Sequence, residues 1–298
     1  MQTAVDTRAE AARLDASLQP IDWAEPDPRA TAFRFEAPSG ILAAWSIGDP
    51  VNPRVVLVPG ATGSKEDFLL LAPPLVEAGY FVQAYDLAGQ YESAAAGPSR
   101  TTGRWDYDLY LADFIAFLEA GGPAHVLGYS FAGIVAQLAL VERPELFLSL
   151  TLLTAPPLTG NVFRGIKIIG PLARFATAHL GAGLMLWGIQ TNKNAVDERR
   201  LAFVRARLEV TRRESVDDII SLMMATPDVT AAVAAAGIPI LVATGQHDLW
   251  PVRLHAEYAD RIGAELAVYR TGHSPCETTP NQLALDMITT FRRAEQLA

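Results

Sequence analysis

Apolar residues along this chain fall in short unbroken runs separated by longer stretches of helical spacing. Residues 54 to 58 carry Val-Val-Leu-Val after Arg54 and stop at Pro59-Gly60. Phe81 to Tyr85 is a second run, ended by Asp86, and His125 to Leu127 leads into Gly128. Leu148 to Leu153 stops at Thr154, Ile238 to Ala243 stops at Thr244-Gly245, and Ala264 to Tyr269 closes the series. Strands buried on both faces read as continuous apolar runs, whereas half-exposed strands alternate. Between the runs, Tyr107 to Ala120 sets Leu109, Leu111, Phe114, Ile115 and Leu118 at helical spacing. Strands alternating with helices imply βαβ units. The expected fold is α/β, a mostly parallel β-sheet flanked by helices.

Residues 156–230 break the alternation. They offer no convincing strand, only helical pattern with a start interrupted by Gly and Pro. A helical cap inserted between two strands of a parallel sheet is most simply a lid over the strand ends, where ligands bind in such folds. This stretch holds ten Lys/Arg against seven Asp/Glu, so it is basic while the rest of the chain is acidic. The expected core is then 31–155 with 231–298. Residues 1–30 are polar, end in Glu25-Pro26-Asp27-Pro28-Arg29, and are expected to be a loosely held arm.

Composition narrows the function classes. Half of the 298 residues are apolar and 19% are charged, as in ordinary globular proteins. A net charge of −9 argues against a nucleic-acid partner, which normally needs a basic patch. One cysteine, Cys276, excludes an intrachain disulfide and a multi-thiolate metal site. No His/Asp/Glu cluster has ligand spacing, so no metal and no cofactor are expected. Charges interrupt the first ten residues, unlike a signal peptide. Nothing approaches the run of about 18 apolar residues that a membrane helix needs. Leu180 to Ile189 and Ala231 to Ala243 come nearest and read as buried helix or strand. The expectation is a cytoplasmic protein that meets a small-molecule substrate and no membrane.

The sharpest chemical signal is Gly128-Tyr129-Ser130-Phe131-Ala132-Gly133, between an apolar strand and the helical run Ile134 to Leu140. A strand-to-helix turn this tight crowds its centre, so the positions two before and two after must be small. Gly128 and Ala132 meet that demand. The turn would lift the Ser130 hydroxyl to the N-terminus of a helix, where free N–H groups can stabilise developing negative charge. A plain Gly-rich turn before a helix is the bland alternative.

This order of elements resembles the α/β-hydrolase fold family, whose catalytic residues run Ser, acid, His along the chain. The resemblance implies Ser130 as nucleophile, Asp248 in Thr-Gly-Gln-His-Asp as the acid, and His273 in Thr-Gly-His-Ser-Pro as the base. It also implies an oxyanion hole from the N–H groups of Phe131 and Ala61. Many relatives have His-Gly where this chain has Pro59-Gly60. Asp86 matches a position that is usually structural, and Thr154-Ala155-Pro156 offers no carboxylate to replace Asp248. His125, His179, His247 and His255 lack such loops and read as surface or helix-packing residues. Cys276 reads as an inert buried thiol.

A nucleophilic Asp would have meant epoxide or haloalkane chemistry; Ser130 argues against both. Ester, lactone, amide, thioester and carbon–carbon bond hydrolysis remain, with perhydrolase activity and acyl transfer. The expected function is hydrolysis of a carboxylic ester, or a lactone or thioester, of a small to medium apolar substrate through an acyl-serine. A non-catalytic small-molecule binder on the same fold is the alternative of another class. Apolar cap residues such as Ile166, Trp187, Met223 and Met224 motivate the apolar substrate.

Overall fold

The computed structural model describes residues 2–25, 27–166 and 197–297. Its sheet has eight strands: β1 (Thr31–Ala37), β2 (Gly40–Ile47), β3 (Arg54–Val58), β4 (Phe81–Tyr85), β5 (Ala124–Tyr129), β6 (Phe147–Leu153), β7 (Ile240–Gly245) and β8 (Glu265–Tyr269). They lie in the order β1-β2-β4-β3-β5-β6-β7-β8. β2 pairs antiparallel with β1 and β4, and every pairing from β4 through β8 is parallel. The fold is α/β, as the apolar runs imply. β3, β5 and β7 are buried along their whole length, which is why they read as continuous runs. β7 starts two residues later than its run and extends through Thr244-Gly245.

The described helices are α1 (Gln2–Ala16), α2 (Ala72–Glu77), α3 (Tyr107–Gly121), α4 (Phe131–Glu142), α5 (Glu198–Val210), α6 (Arg213–Met223), α7 (Thr230–Ala234), α8 (Val252–Ile262), α9 (Pro275–Thr278) and α10 (Pro280–Glu295). Side chains of α3, α4 and α8 fill one face of the sheet. Leu75 of α2 and Leu283, Met287 and Phe291 of α10 fill the other. Two covered faces remove the apolar surface of the central strands from water, the dominant favourable term in such a fold.

Three elements depart from the expectations. The β1–β2 hairpin precedes the first apolar run; Phe33 and Phe35 alternate with Arg34 and Glu36, and both rings meet Phe117 of α3. The N-terminal stretch is not a loose arm. α1 packs on α10, where the Asp15 carboxylate accepts hydrogen bonds from the backbone and side-chain amides of Asn281 and Gln282 at 2.8–3.1 Å. A carboxylate there satisfies N–H groups that the first turn of a helix leaves free. Trp23 is buried under the Arg200 guanidinium, 4.2 Å from its ring.

Within 156–230, the described residues form helices and one isolated bridge, Gly160 to Thr226. His179, Trp187 and the apolar run Leu180 to Ile189 lie outside the described residues. α5 is tied to the core by a buried ionic cluster. Arg200 donates to Asp67 and Glu277, both at 2.6 Å, and Arg207 to Asp67 at 2.6 Å and Ser64 at 3.1 Å. Among the described residues, no helix is long and apolar enough to cross a membrane.

His125 sits on β5, fully buried and stacked on Phe291 at 4.1 Å. Its Nδ1 meets Ser149 Oγ at 2.8 Å. Burial pushes its pKa down to about 4, outweighing the partly solvated Glu295 carboxylate 3.5 Å from Nε2. The unfolded chain therefore binds a proton near pH 6.5 that the native state takes up only near pH 4. The neutral ring's contribution is complete above the unfolded pKa and is lost as the pH falls to the folded one. Across that window the loss is about 3 kcal/mol. His125→Gln should flatten the acid limb of stability by that order, as measured by urea unfolding between about pH 4 and about pH 7. Parallel curves for the two proteins would refute the assignment.

Candidate active site

Three glycines let the chain pass itself at the carboxyl ends of the central strands. Ser130 links β5 to α4 with φ 52° and ψ −118°, a left-handed conformation that a non-glycine residue holds only under constraint. A β-carbon on Gly128 would lie 2.7 Å from the Ala132 carbonyl oxygen and from Gly133 Cα. One on Gly133 would strike Ala155. The small residues around Ser130 are thus forced by backbone contact, as the tight turn demands. On the facing loop, a β-carbon on Gly60 would lie 2.8 Å from Ser130 Cβ.

The three residues singled out in the sequence meet. His273 Nε2 is 3.2 Å from Ser130 Oγ, and His273 Nδ1 is 2.5 Å from Asp248 Oδ1. The Asp248 side chain is fully buried, while that of His273 keeps 23% of its exposure and Ser130 is partly exposed. Burial by itself would raise the Asp248 carboxyl, yet His273 and His255 beside it hold it well below the usual carboxylate range. An ionised carboxylate can only accept, so it selects the His273 tautomer with hydrogen on Nδ1. Nε2 is then free to take the Ser130 proton.

Several contacts fix the histidine loop. Thr154 Oγ1 donates to the His273 carbonyl at 3.0 Å, and Ser274 Oγ meets the Tyr129 hydroxyl at 2.9 Å. The acid loop follows it strand-fashion: Gln246 N donates to Tyr269 O at 2.7 Å, and His247 N to Thr271 O at 2.9 Å. A β-carbon on Gly245 would collide with the Gly272 carbonyl, so only glycine permits this approach. Trp250 Nε1 donates to the Val162 carbonyl at 2.8 Å, which anchors the acid loop to the segment after β6.

Of the two backbone donors expected for an oxyanion, Phe131 N opens α4 next to Ser130, and Ala61 directly follows Gly60. The loop beyond Ala61 is braced. Thr62, at φ 61°, donates its N–H to Gln90 Oε1 at 2.9 Å, and Gln90 Nε2 donates to Ser215 Oγ of α6 at 2.6 Å. Asp86 is buried against Lys65, 2.7 Å from its backbone nitrogen, and burial pushes its carboxyl up to about 7. Cys276 is fully buried and its thiol is pushed up by burial, so it is no thiolate nucleophile.

His255, expected at the surface or in helix packing, instead meets Asp248. His255 is buried on α8, and its Nε2 lies 2.8 Å from Asp248 Oδ2. Asp248 lies four residues before α8 begins, so no helical spacing links the two residues in the sequence. His247 is exposed and takes no part.

A sequence model described as the alpha/beta hydrolase family matches residues 55–286. The chain is 30% identical over 138 residues, 45% of its length, to the dihydrolipoyllysine-residue acetyltransferase component of the acetoin cleaving system of Cupriavidus necator. It is 28% identical over 247 residues, 78% of its length, to polyketide synthase ThaQ of Burkholderia thailandensis. The matched stretches span 35% and 11% of those relatives. Solved structures of similar fold include esterases, a thioesterase domain and a meta-cleavage product hydrolase. A carboxylesterase of the thaumarchaeon Nitrososphaera gargenis superposes with a TM-score of 0.69 at 18% identity, covering 89% of this chain and 100% of that one.

Gly60→Ala should drive its new methyl group against Ser130. Overpacking of this kind costs about 1–3 kcal/mol. The rate at which a fluorophosphonate labels Ser130 should fall about tenfold or more, the equivalent of about 1.4 kcal/mol. Labelling at the wild-type rate would show that the facing loop does not shape the serine's surroundings.

Proposed function

The chain belongs to the alpha/beta hydrolase family, and from that premise we propose that it is a serine hydrolase of carboxylic esters with a small to medium apolar acyl or alcohol group. The observation that carries the reading is the hydrogen-bonded line Ser130 Oγ, His273 Nε2, His273 Nδ1, Asp248 Oδ1, with spacings of 3.2 Å and 2.5 Å. A serine hydroxyl is a weak nucleophile until a base removes its proton during attack. Nε2 of His273 takes that proton as Ser130 Oγ bonds to the ester carbon. The resulting imidazolium is stabilised by the Asp248 charge, and the carbonyl oxygen gains a full negative charge. N–H groups of Phe131 and Ala61 would receive that oxyanion. Collapse expels the alcohol, which takes the proton from Nε2, and leaves an acyl-serine. Water, deprotonated by the same nitrogen, then releases the acid.

Ester cleavage asks least of this arrangement, because the alcohol leaves with a single proton from His273. The apolar preference rests on the side chains of residues 156–230, where Ile166 and Met224 are partly buried against the core. In this reading that segment is the cap over the strand ends. A second reading is acyl transfer to an acceptor other than water, favoured by the stretch shared with an acetyltransferase component. Both use the same acyl-serine and differ in what attacks it.

A panel of p-nitrophenyl esters graded by acyl length, run beside fluorophosphonate labelling, tests the reading. Medium apolar esters should turn over fastest, and labelling should map to Ser130. Ser130→Ala should abolish both with the fold intact, and His273→Ala should cost on the order of 10² to 10⁴ in rate. Labelling without steady turnover, relieved by an added alcohol or thiol, would favour transfer. Neither labelling nor turnover would refute a serine enzyme.

A further inference from the structure

The Asp248 carboxylate is shared between two imidazoles. Oδ1 faces His273 Nδ1 at 2.5 Å, and Oδ2 faces His255 Nε2 at 2.8 Å. The His255 side chain is 1% exposed and that of Asp248 is fully buried. The remaining side-chain contact to Oδ2 is Thr244 Oγ1, at the long distance of 3.4 Å. His255 stands in the first turns of α8, whose chain enters through Pro251. Helical side chains lean toward the N-terminus, so the imidazole reaches back over the acid loop.

We infer that His255 is a positioning residue for the proposed reaction, whose Nε2–H holds the Asp248 carboxylate ionised and turned so that Oδ1 addresses His273. The inference rests on the hydrolase reading. Asp248 accepts on both oxygens, so each imidazole must present an N–H to it. His255 is thereby fixed as the Nε2–H tautomer and His273 as the Nδ1–H tautomer. Without His255, this buried anionic oxygen keeps, among the described residues, only the long Thr244 contact, and a buried charge without donors neutralises or turns away. A protonated Asp248 would donate to His273 Nδ1 and force hydrogen onto Nε2. That tautomer cannot take the Ser130 proton.

The test compares wild type, His255→Leu and His255→Gln, whose amide can restore a donor. Three readouts are taken: kcat and KM on a p-nitrophenyl ester, the fluorophosphonate labelling rate, and the downfield proton resonance of the His273–Asp248 hydrogen bond in the resting protein. His255→Leu should lower kcat and labelling on the order of tenfold to hundredfold, as slight misplacement of reacting groups does. KM should stay within about twofold, the resonance should shift or vanish, and His255→Gln should recover part of each. A wild-type resonance and kcat in His255→Leu, or a change in KM alone, would overturn the inference and leave the hydrolase reading standing. If His255→Leu does not fold, His255→Phe, which keeps a ring and removes the donor, is read by the same criteria: a shifted or lost resonance with lowered kcat supports the inference, and wild-type values overturn it. If wild type neither labels nor turns over, the hydrolase reading fails, and the resonance still judges the hydrogen bond.

Discussion

Backbone passes backbone without side-chain spacers where β3, β5 and β7 end. Gly60 lies against Ser130, Gly128 against Ala132 and Gly133, and Gly245 against Gly272. The first and last of these join segments far apart in sequence, the second closes the turn around Ser130, and each is too close for a β-carbon. Through them a hydroxyl from one turn, a carboxylate from a second and an imidazole from a third arrive within hydrogen-bonding distance. The left-handed Ser130 and Thr62 persist in this setting because the surrounding pairings leave no relaxed alternative. Ser130 N donates to Leu153 O and Thr154 N to Ala243 O, so the turn geometry continues the hydrogen-bonding of the sheet.

Electrostatics follows from that packing. Asp248 is buried, and burial disfavours its charge, yet two imidazoles donate to it and the charged form wins. Asp86 has the same burial but faces one ammonium and the nearby Glu66 carboxylate, and its carboxyl is pushed up to about 7. Two buried carboxylates, one after β4 and one after β7, thus differ because of the groups packed around them. Charge facing two imidazoles is kept after β7, and the loop after β4 is held by a Lys65 network.

The parts of this arrangement that sequence reveals are those with local causes. A strand covered on both faces must be apolar throughout, so β3 to β7 stand out as runs. A nucleophile turn needs small residues at set offsets, so Gly128 to Gly133 stands out as well. Asp248 and His273 follow strands in loops whose glycines have a steric reason, and they could be placed by order alone. His255 could not. A histidine inside an amphipathic helix has no local signature, and its partner became visible only when α8 folded back over the acid loop. α1 was missed for a similar reason: its sequence is polar, and it docks through Asp15 meeting the first turn of α10, a contact across more than 260 residues. The hairpin is different, since Phe33 and Phe35 did alternate with charges in the pattern of a half-exposed strand.

The charge contrast between residues 156–230 and the rest of the chain has its explanation in α5. Arg200 and Arg207 are among the basic residues of that segment, and both are buried against Asp67, with Glu277 beside Arg200. Buried ion pairs gain little net stability, because desolvation offsets most of their attraction, but an unmatched partner is costly. The cluster therefore specifies where α5 docks more than how firmly. Its core partners lie on the loop that begins at Gly60 and on α9, just past His273. Ser64 and Asp67 receive Arg207, and Gln90 carries Thr62 to Ser215 of α6. Two helices of the inserted segment are thus bonded to the loop that bears Ala61. Displacing α5 or α6 would have to break those bonds, and the loop facing Ser130 would lose its bracing in the same step.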